Sequence, residues 1–173
     1  MIPEIDTQLA AVIKALSDNV LPALDRSNPM AAEQIQLCLA TLGLVKNHLP
    51  HWHGYQRRDL ETHLALAEEL AGLAAASGTV LDELGQAAQA GAHALANPEM
   101  GAHDLEQQVR RLKEGIVLLI NATRGSAEQN AMTQAVLRAE ATVILRSRAW
   151  SIGMGFEPDP TQIPPLHQLL RKE

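Results

Sequence analysis

Four histidines in the first half of the chain are the residues whose type and spacing best suit chemistry. His48, His51 and His53 form the pattern H-x2-H-x-H at a proline break between two predicted helices, and His63 lies in the second of these helices. Imidazole nitrogens ligate zinc and similar metals. The pattern allows a divalent metal such as zinc, but it matches no regular zinc signature, so no cofactor is predicted. The alternative is hydrated surface histidines.

Two clusters place arginines beside aromatic residues. The first cluster contains Trp52, Tyr55, Arg57 and Arg58, and the second contains Arg146, Arg148 and Trp150. A guanidinium group near an aromatic face can hold an anionic or planar ligand. If the two clusters meet at one end of a helical bundle, they form a ligand pocket. The alternative is that the arginines are solvated and the aromatic rings cover the end of the bundle.

One carboxylate also has two interpretations. Glu140 lies between Leu137 and Ile144 on an apolar stripe, where a partly buried acid could act as a general acid or base. The more ordinary interpretation is a flank position paired with an arginine such as Arg138 or Arg110, because most carboxylates on amphipathic helices are solvated.

Apolar periodicity predicts the six helices that must position these residues. The chain is 46% hydrophobic but only 2% aromatic, and alanine and leucine, which favour helices, supply most of the apolar residues. The predicted helices cover 3–24, 29–49, 54 or 55–78, 79–96, 101 or 104–124, and 126–150.

Helix-end signals support these boundaries. Pro22 should kink or end the first helix, and Asn28 should cap the second. Gly78 is expected to end the third helix in the left-handed conformation, and Thr79 to open the fourth with a capping box. Ser126 is expected to cap the sixth helix.

These helices predict an all-α fold. We expect one domain over residues 1–173, with about six helices in an antiparallel up-and-down bundle. Residues 152–173 are too rich in proline to continue the last helix, so they are expected to form an extended arm held by Phe156 and Leu166. Cys38 is expected to be a small core residue.

Composition and charge exclude several classes of protein. The net charge is −6 and the basic residues are scattered, so nucleic-acid binding is not expected. No apolar run reaches the ~20 residues that span a bilayer, and acids near Met1 argue against a secretory signal. A single cysteine fits a reducing compartment. A cytoplasmic protein without a membrane partner is predicted.

The small residues of the fourth helix suggest a homodimer. Residues 79–96 are rich in alanine and glycine, and the segment Gly153-Met154-Gly155-Phe156 adds small and apolar side chains. Such surfaces let helices of two copies approach closely, or bind a helix of another protein or an acyl chain. Packing within one chain is the alternative.

Part of the chain resembles a known family. The segment Val20-Leu21-Pro22-Ala23-Leu24-Asp25, the helix through Leu42-Gly43-Leu44-Val45 and the stretch Leu60 to Leu70 resemble the start of a small uncharacterised helical family of bacteria. Its members are often encoded beside aminoglycoside-phosphotransferase-like proteins and acyl-CoA dehydrogenases. The resemblance implies an accessory role near acyl-CoA metabolism and no site residues.

Three functions follow from these patterns. The first is a non-enzymatic accessory or protein-interaction module. The second is a metal- or anion-binding enzyme with its site at the junction of the second and third helices. The third is a carrier of an apolar, acyl-type ligand, which requires a cavity between the fourth, fifth and sixth helices.

Overall fold

Six long helices make up most of the protein, as the sequence predicts. The computed structural model describes residues 4–25, 27–74 and 78–171, and these contain no β-strand. Pro3 and Ser77, which the predictions place in helix ends, lie outside the described residues. The long helices are α1 (Ile5–Ala15), α3 (Pro29–His48), α4 (Trp52–Leu73), α5 (Thr79–Ala96), α6 (Ala102–Ala122) and α7 (Gln129–Ser151), and the short ones are α2 (Leu21–Ala23) and α8 (Leu166–Leu169).

The chain divides into two compact units. The first contains residues 1–50 and 150–162, and the second contains residues 51–149 and 163–173. The all-α class with about six helices is confirmed. The single domain and the antiparallel order of the helices stay predictions.

The first unit pairs α1 with α3. A π-helical segment, Leu16–Val20, joins α1 to α2, and the amide of Leu21 donates to the carbonyl of Leu16. Pro22 follows at the second position of α2. Because proline has no N–H and crowds the carbonyl four residues earlier, the helix adjusts just before it. The predicted kink at Pro22 therefore takes the form of a wider turn.

The start of α3 agrees with its predicted cap. The side chain of Asn28 accepts a hydrogen bond from the amide of Ala31 at 3.1 Å, and Pro29 occupies the first turn. At the other end, a 3-10 turn over Leu49–His51 separates α3 from α4. The second long helix after Asn28 thus begins at Trp52, earlier than the predicted Gly54 or Tyr55, because Pro50 is accommodated in the tight turn.

The hydrophobic core belongs to the second unit, where α4, α5 and α6 pack against one another. Leu60 and Leu70 of α4, together with Leu105 and Leu112 of α6, are completely buried. Met132 and Ala135 of α7 belong to the same core. The apolar stripes predicted on these helices therefore face one common interior.

Glycine allows two of these helices to approach closely. A Cβ atom built on Gly91 would lie 3.1 Å from Leu64 Cδ2 and 3.3 Å from Leu60 Cδ1. Gly91 is itself buried. At Gly91, therefore, the small residue of α5 allows close packing within one chain. This agrees with the alternative to a contact between two copies.

Three predicted helix-end features, at Gly78, Thr79 and Ser126, are wrong. Gly78 has φ +141° and ψ −175°, which is not the left-handed helical conformation, and α4 has already ended at Leu73. Thr79 is the first residue of α5 and makes no side-chain cap, so the predicted capping box does not form. Ser126 lies in a turn before α7, where the Gln129 side chain accepts a hydrogen bond from the amide of Gly125.

Two residues expected in the interior are exposed. Cys38 is exposed on α3, and Phe156 is 81% exposed, so it does not hold the arm as predicted. Ile163 and Leu166 are instead buried in the second unit. The buried apolar side chains of the arm therefore flank Pro164 and Pro165, just before and at the start of α8.

Within residues 4–25, 27–74 and 78–171, each helix is too short or too polar to cross a bilayer.

Candidate functional site

Three polar residues lie on the buried face of α4. Gln56, Asp59 and His63 are buried, and they share this face with Leu60 and Leu64. Their spacing of three and four residues follows the helical period, so all three side chains point into the second unit. A row of polar groups in a core needs partners from neighbouring helices.

Asp59 receives those partners from two other helices. Nη2 of Arg146, on α7, donates to Oδ1 of Asp59 at 3.2 Å, and Nζ of Lys113, on α6, lies 3.5 Å from Oδ2. Arg146 is only 3% exposed. Two cations therefore surround one buried carboxylate, and together they compensate its desolvation.

His63 completes this cluster as a neutral group. Its Nδ1 donates to the backbone carbonyl of Asp59 at 2.7 Å, and Nε2 is buried without a hydrogen-bond partner. Burial lowers the pKa of the His63 imidazole below its ordinary value, and the nearby charge of Lys113 lowers it further. The backbone bond and the charges of Asp59 and Glu140 act in the opposite direction.

An open cleft of about 560 Å³ lies beside this cluster. Its lining combines three cationic side chains, one acid and several hydrogen-bonding groups, namely Arg58, Glu61, Thr62, Thr142, Arg146, Gln168, Leu169 and Arg171. The cleft is built by α4, α7 and α8 with the residues that follow α8. Three arginines against one glutamate give it a positive lining.

The cationic groups of the cleft are held in place. Arg58 donates from Nη1 to Glu61 at 2.6 Å and from Nε to the carbonyl of Leu170 at 3.2 Å. Nε of Arg146 is buried and has no hydrogen-bond partner. Arg171 is exposed. The cleft therefore offers a ligand three cations: Arg58, which is held by hydrogen bonds, Arg146, which is buried, and Arg171, which is exposed.

The two predicted arginine and aromatic clusters meet only in part. Arg58 and Arg146 line the same cleft, and the hydroxyl groups of Tyr55 and Ser147 lie 3.2 Å apart, so α4 and α7 are neighbours at this point. Arg57 donates instead to the carbonyl of Leu95.

The aromatic residues and Arg148 do not line the cleft. Trp52 stacks on Tyr55 with ring centroids 6.4 Å apart, and Trp150 stacks on His48 in the first unit at 4.3 Å. Arg148 is exposed on α7. The lining is thus cationic rather than aromatic, which favours a charged ligand over a planar one.

The four predicted histidine ligands occupy different environments. His48 donates from Nδ1 to the carbonyl of Leu44 at 2.8 Å, and His53 donates from Nε2 to the carbonyl of Met100 at 3.0 Å. His51 ends the 3-10 turn, and His63 is buried beside Asp59. Among the residues that the structure describes, no three His, Cys, Asp or Glu side chains are grouped to hold a metal ion.

Glu140 is half-buried without either of its predicted arginines. Arg138 pairs with Glu69, and Arg110 pairs with Glu106 at 2.6 Å. The negative charge of Glu140 is close enough to raise the pKa of His63, against the larger effect of burial. The two arginines that the sequence suggested as partners of Glu140 therefore pair with other acids.

A second cavity bears on the carrier hypothesis. It has a volume of about 250 Å³ and lies between the end of α6 and the start of α7, with Ile120, Met132 and Val136 in its lining. The carrier hypothesis requires a cavity that α5 also lines. No residue of α5 lines this cavity.

The buried charges had a signal in the sequence. Arg146 continues the stripe of Met132, Ala139 and Val143 at steps of three and four residues, so the period alone places it inward. The same period places Asp59 and His63 beside Leu60. Arg171 and Gln168 gave no such signal, because they reach the cleft through the path of the C-terminal arm.

Comparisons with protein-family models, with curated proteins and with solved structures found no match to this chain. The resemblance to a small bacterial helical family stays a hypothesis.

Proposed function

We propose that this protein is a non-enzymatic accessory protein that binds a small anionic ligand, a carboxylate or a phosphate, in the cleft of the second unit. The observation that supports the proposal is the position of Arg58, Arg146 and Arg171 around one opening. Guanidinium groups form paired, charge-assisted hydrogen bonds with both kinds of oxyanion. The volume of about 560 Å³ falls within the range of small-molecule sites.

Arg146 is the central group of this proposal. It is nearly fully buried, yet its Nε donor has no partner within the chain. An unsatisfied buried donor costs about 1–3 kcal/mol. Because Nε is buried in the free protein, an oxyanion in the cleft would accept from it only after a small rotation of the guanidinium group. That hydrogen bond would remove the cost and so increase the affinity.

The chemistry of the lining favours binding over turnover. Its one carboxylate, Glu61, is held by Arg58, and its hydroxyl groups belong to threonines. Thr62 donates its hydroxyl proton to the backbone carbonyl of Arg58, which cannot act as a base. A nucleophile needs an adjacent base to become reactive. We place the protein in the cytoplasm, which its single cysteine supports.

Calorimetric titration with inorganic phosphate and, separately, with malonate tests this proposal and distinguishes the two oxyanions. We expect saturable binding of at least one of them, with a dissociation constant of about 1 mM or lower. Arg171→Gln should weaken that binding about tenfold, because a charge-assisted hydrogen bond is lost without disturbing the core.

Arg111→Gln is the matched control, since Arg111 is exposed on α6 and does not line the cleft. It removes the same charge from the chain and should leave affinity nearly unchanged. Absence of saturable heat with both anions would refute the proposal, as would equal weakening by the two variants, which would indicate a nonspecific effect of charge.

A further inference from the structure

The first unit lacks an interior of its own. Among the described residues of 1–50 and 150–162, no side chain is buried, although α1 and α3 carry many apolar residues. The second unit, by contrast, buries a full set of leucines. An apolar helix pair without a buried core needs another surface to cover it.

The helix α3 shows this most clearly, because it is apolar on opposite sides. Its half-buried residues include Ile35, Leu39 and Leu42, while Met30 and Leu37 are 64% and 51% exposed. A helix that is apolar around most of its circumference is normally buried in a larger assembly.

The exposed apolar residues form two stripes with helical spacing, which we call the open face. Ile5, Val12 and Val20 form the stripe on the first helical rod, and Met30, Leu37 and Val45 form the stripe on α3. From Met30 to Val45 the only charged residue is Glu33. Glu33 lies three residues after Met30 and four before Leu37, so this side of α3 carries one charge. A surface that faces its own copy brings like charges together, and a single charge on the helix keeps this repulsion small.

The size of this surface also suits a dimer. The six large apolar side chains of the open face are 40–64% exposed. At on the order of 100 Å² for a whole side chain, half of their area amounts to about 300 Å². A standard interface buries about 800 Å² on each partner, of which somewhat more than half is apolar.

We propose that the protein forms a two-fold symmetric homodimer in which the open faces of two copies pack together as a four-helix bundle. Two-fold dimers use the same surface on both partners, and a four-helix bundle is the simplest way to bury two helix pairs. The two α3 helices then cross near their midpoints. This places Cys38, the only cysteine, near its counterpart in the second copy.

Analytical ultracentrifugation at about 1 to 100 µM tests the proposal. We expect a dimer for the natural sequence and a monomer for Met30→Lys/Leu37→Lys, with the dissociation constant raised at least about 100-fold by the buried charges. The matched control is Val117→Lys/Leu118→Lys, since these residues are 55% and 50% exposed on α6, in the second unit. Circular dichroism must show the same helicity for all three proteins.

Cross-linking of Cys38 with a short bismaleimide tests the arrangement separately. A covalent dimer should form with the natural sequence and be lost in the Met30→Lys/Leu37→Lys variant. A monomer at 100 µM, a dimer that survives the α3 substitutions, or a dimer that dissociates equally with the α6 substitutions would overturn the proposal. A dimer that Cys38 cannot cross-link would overturn the crossing of the α3 helices.

Discussion

The Arg146 guanidinium and the Asp59 carboxylate meet at 3.2 Å inside the second unit, where the side chain of Arg146 is 4% and that of Asp59 is 10% exposed. The two residues come from α7 and α4, which are far apart in sequence. Lys113 of α6 approaches the other oxygen of the same carboxylate. One carboxylate therefore connects three helices of the core. Its closer partner, Arg146, also lines the cleft.

Removing one member of this pair should destabilise the protein strongly. Arg146→Met is expected to lower the free energy of unfolding by about 3 kcal/mol, because Asp59 loses its buried partner. The double substitution Asp59→Leu/Arg146→Met should be less harmful than the sum of the two single substitutions. Urea denaturation of all four proteins gives the coupling energy. A coupling near zero would mean that the two charges are solvated.

Stability should fall in mild acid because of His63. Burial lowers the pKa of this imidazole in the folded state, so the unfolded chain, with a pKa near 6.5, takes up the proton first. The stabilisation is fully present above about pH 6.5 and is lost as the pH falls through the folded-state pKa. For one proton the slope is at most about 1.4 kcal/mol per pH unit.

Denaturation midpoints measured from pH 5 to 8 test this effect, because the slope of stability against pH reports the number of protons taken up on unfolding. His63→Gln should flatten the profile below pH 6.5. His93→Gln, at an exposed position on α5, should keep it. The charges that face His63 from its own and neighbouring helices, Asp59, Lys113 and Glu140, remain in both variants. Parallel profiles for the two variants would contradict the assignment.

A methyl group at Gly91 should be harmful although alanine favours helices. The added Cβ lies 3.1 Å from Leu64 and 3.3 Å from Leu60, so Gly91→Ala is expected to cost about 1–3 kcal/mol through overpacking. Gly85→Ala, in the same helix with no atom within 4 Å, should instead stabilise by about 0.5–1 kcal/mol. Opposite shifts of the urea midpoint are the expected result, and equal shifts would show that α5 can move away.

The Asn28 cap of α3 should contribute measurably to the stability of the first unit. Asn28→Ala removes the acceptor for the amide of Ala31 and should cost about 1 kcal/mol, whereas Asn28→Asp should retain the bond. Amide hydrogen exchange in the first turn of α3 reports on this end directly. Equal exchange rates in the two variants would argue against the cap.

The helices of the second unit follow closely from the sequence, and the exposed residues of the first unit do not. On α6, Leu105, Val109 and Leu112 are buried as their spacing indicates. On α3 the same kind of spacing predicted an interior position for Cys38, which is exposed. Periodicity shows which side of a helix is apolar, but burial depends on whether another surface covers that side.

The site was predictable to a similar degree. Arg58 and Arg146 stand near aromatic residues in the sequence and do share a cleft, but the rings lie elsewhere. The histidines are close along the chain, but His48 ends α3, His51 lies in the 3-10 turn, and His53 and His63 lie on α4. The imidazoles of His48, His53 and His63 therefore reach three different backbone carbonyls. Closeness in sequence does not fix direction in space.

The π-helical turn at Leu16–Val20 has a consequence for chain length. Ile5 and Val12 are seven residues apart and Val12 and Val20 eight, and the wide turn absorbs the additional residue so that the three stay aligned. Deleting Ser17 in a Pro22→Ala background, where no proline crowds the preceding turn, should therefore relax it to ordinary α-helix without rotating the later residues. Inserting an alanine there would rotate Val20 away. This part of the protein is expected to tolerate shortening better than lengthening.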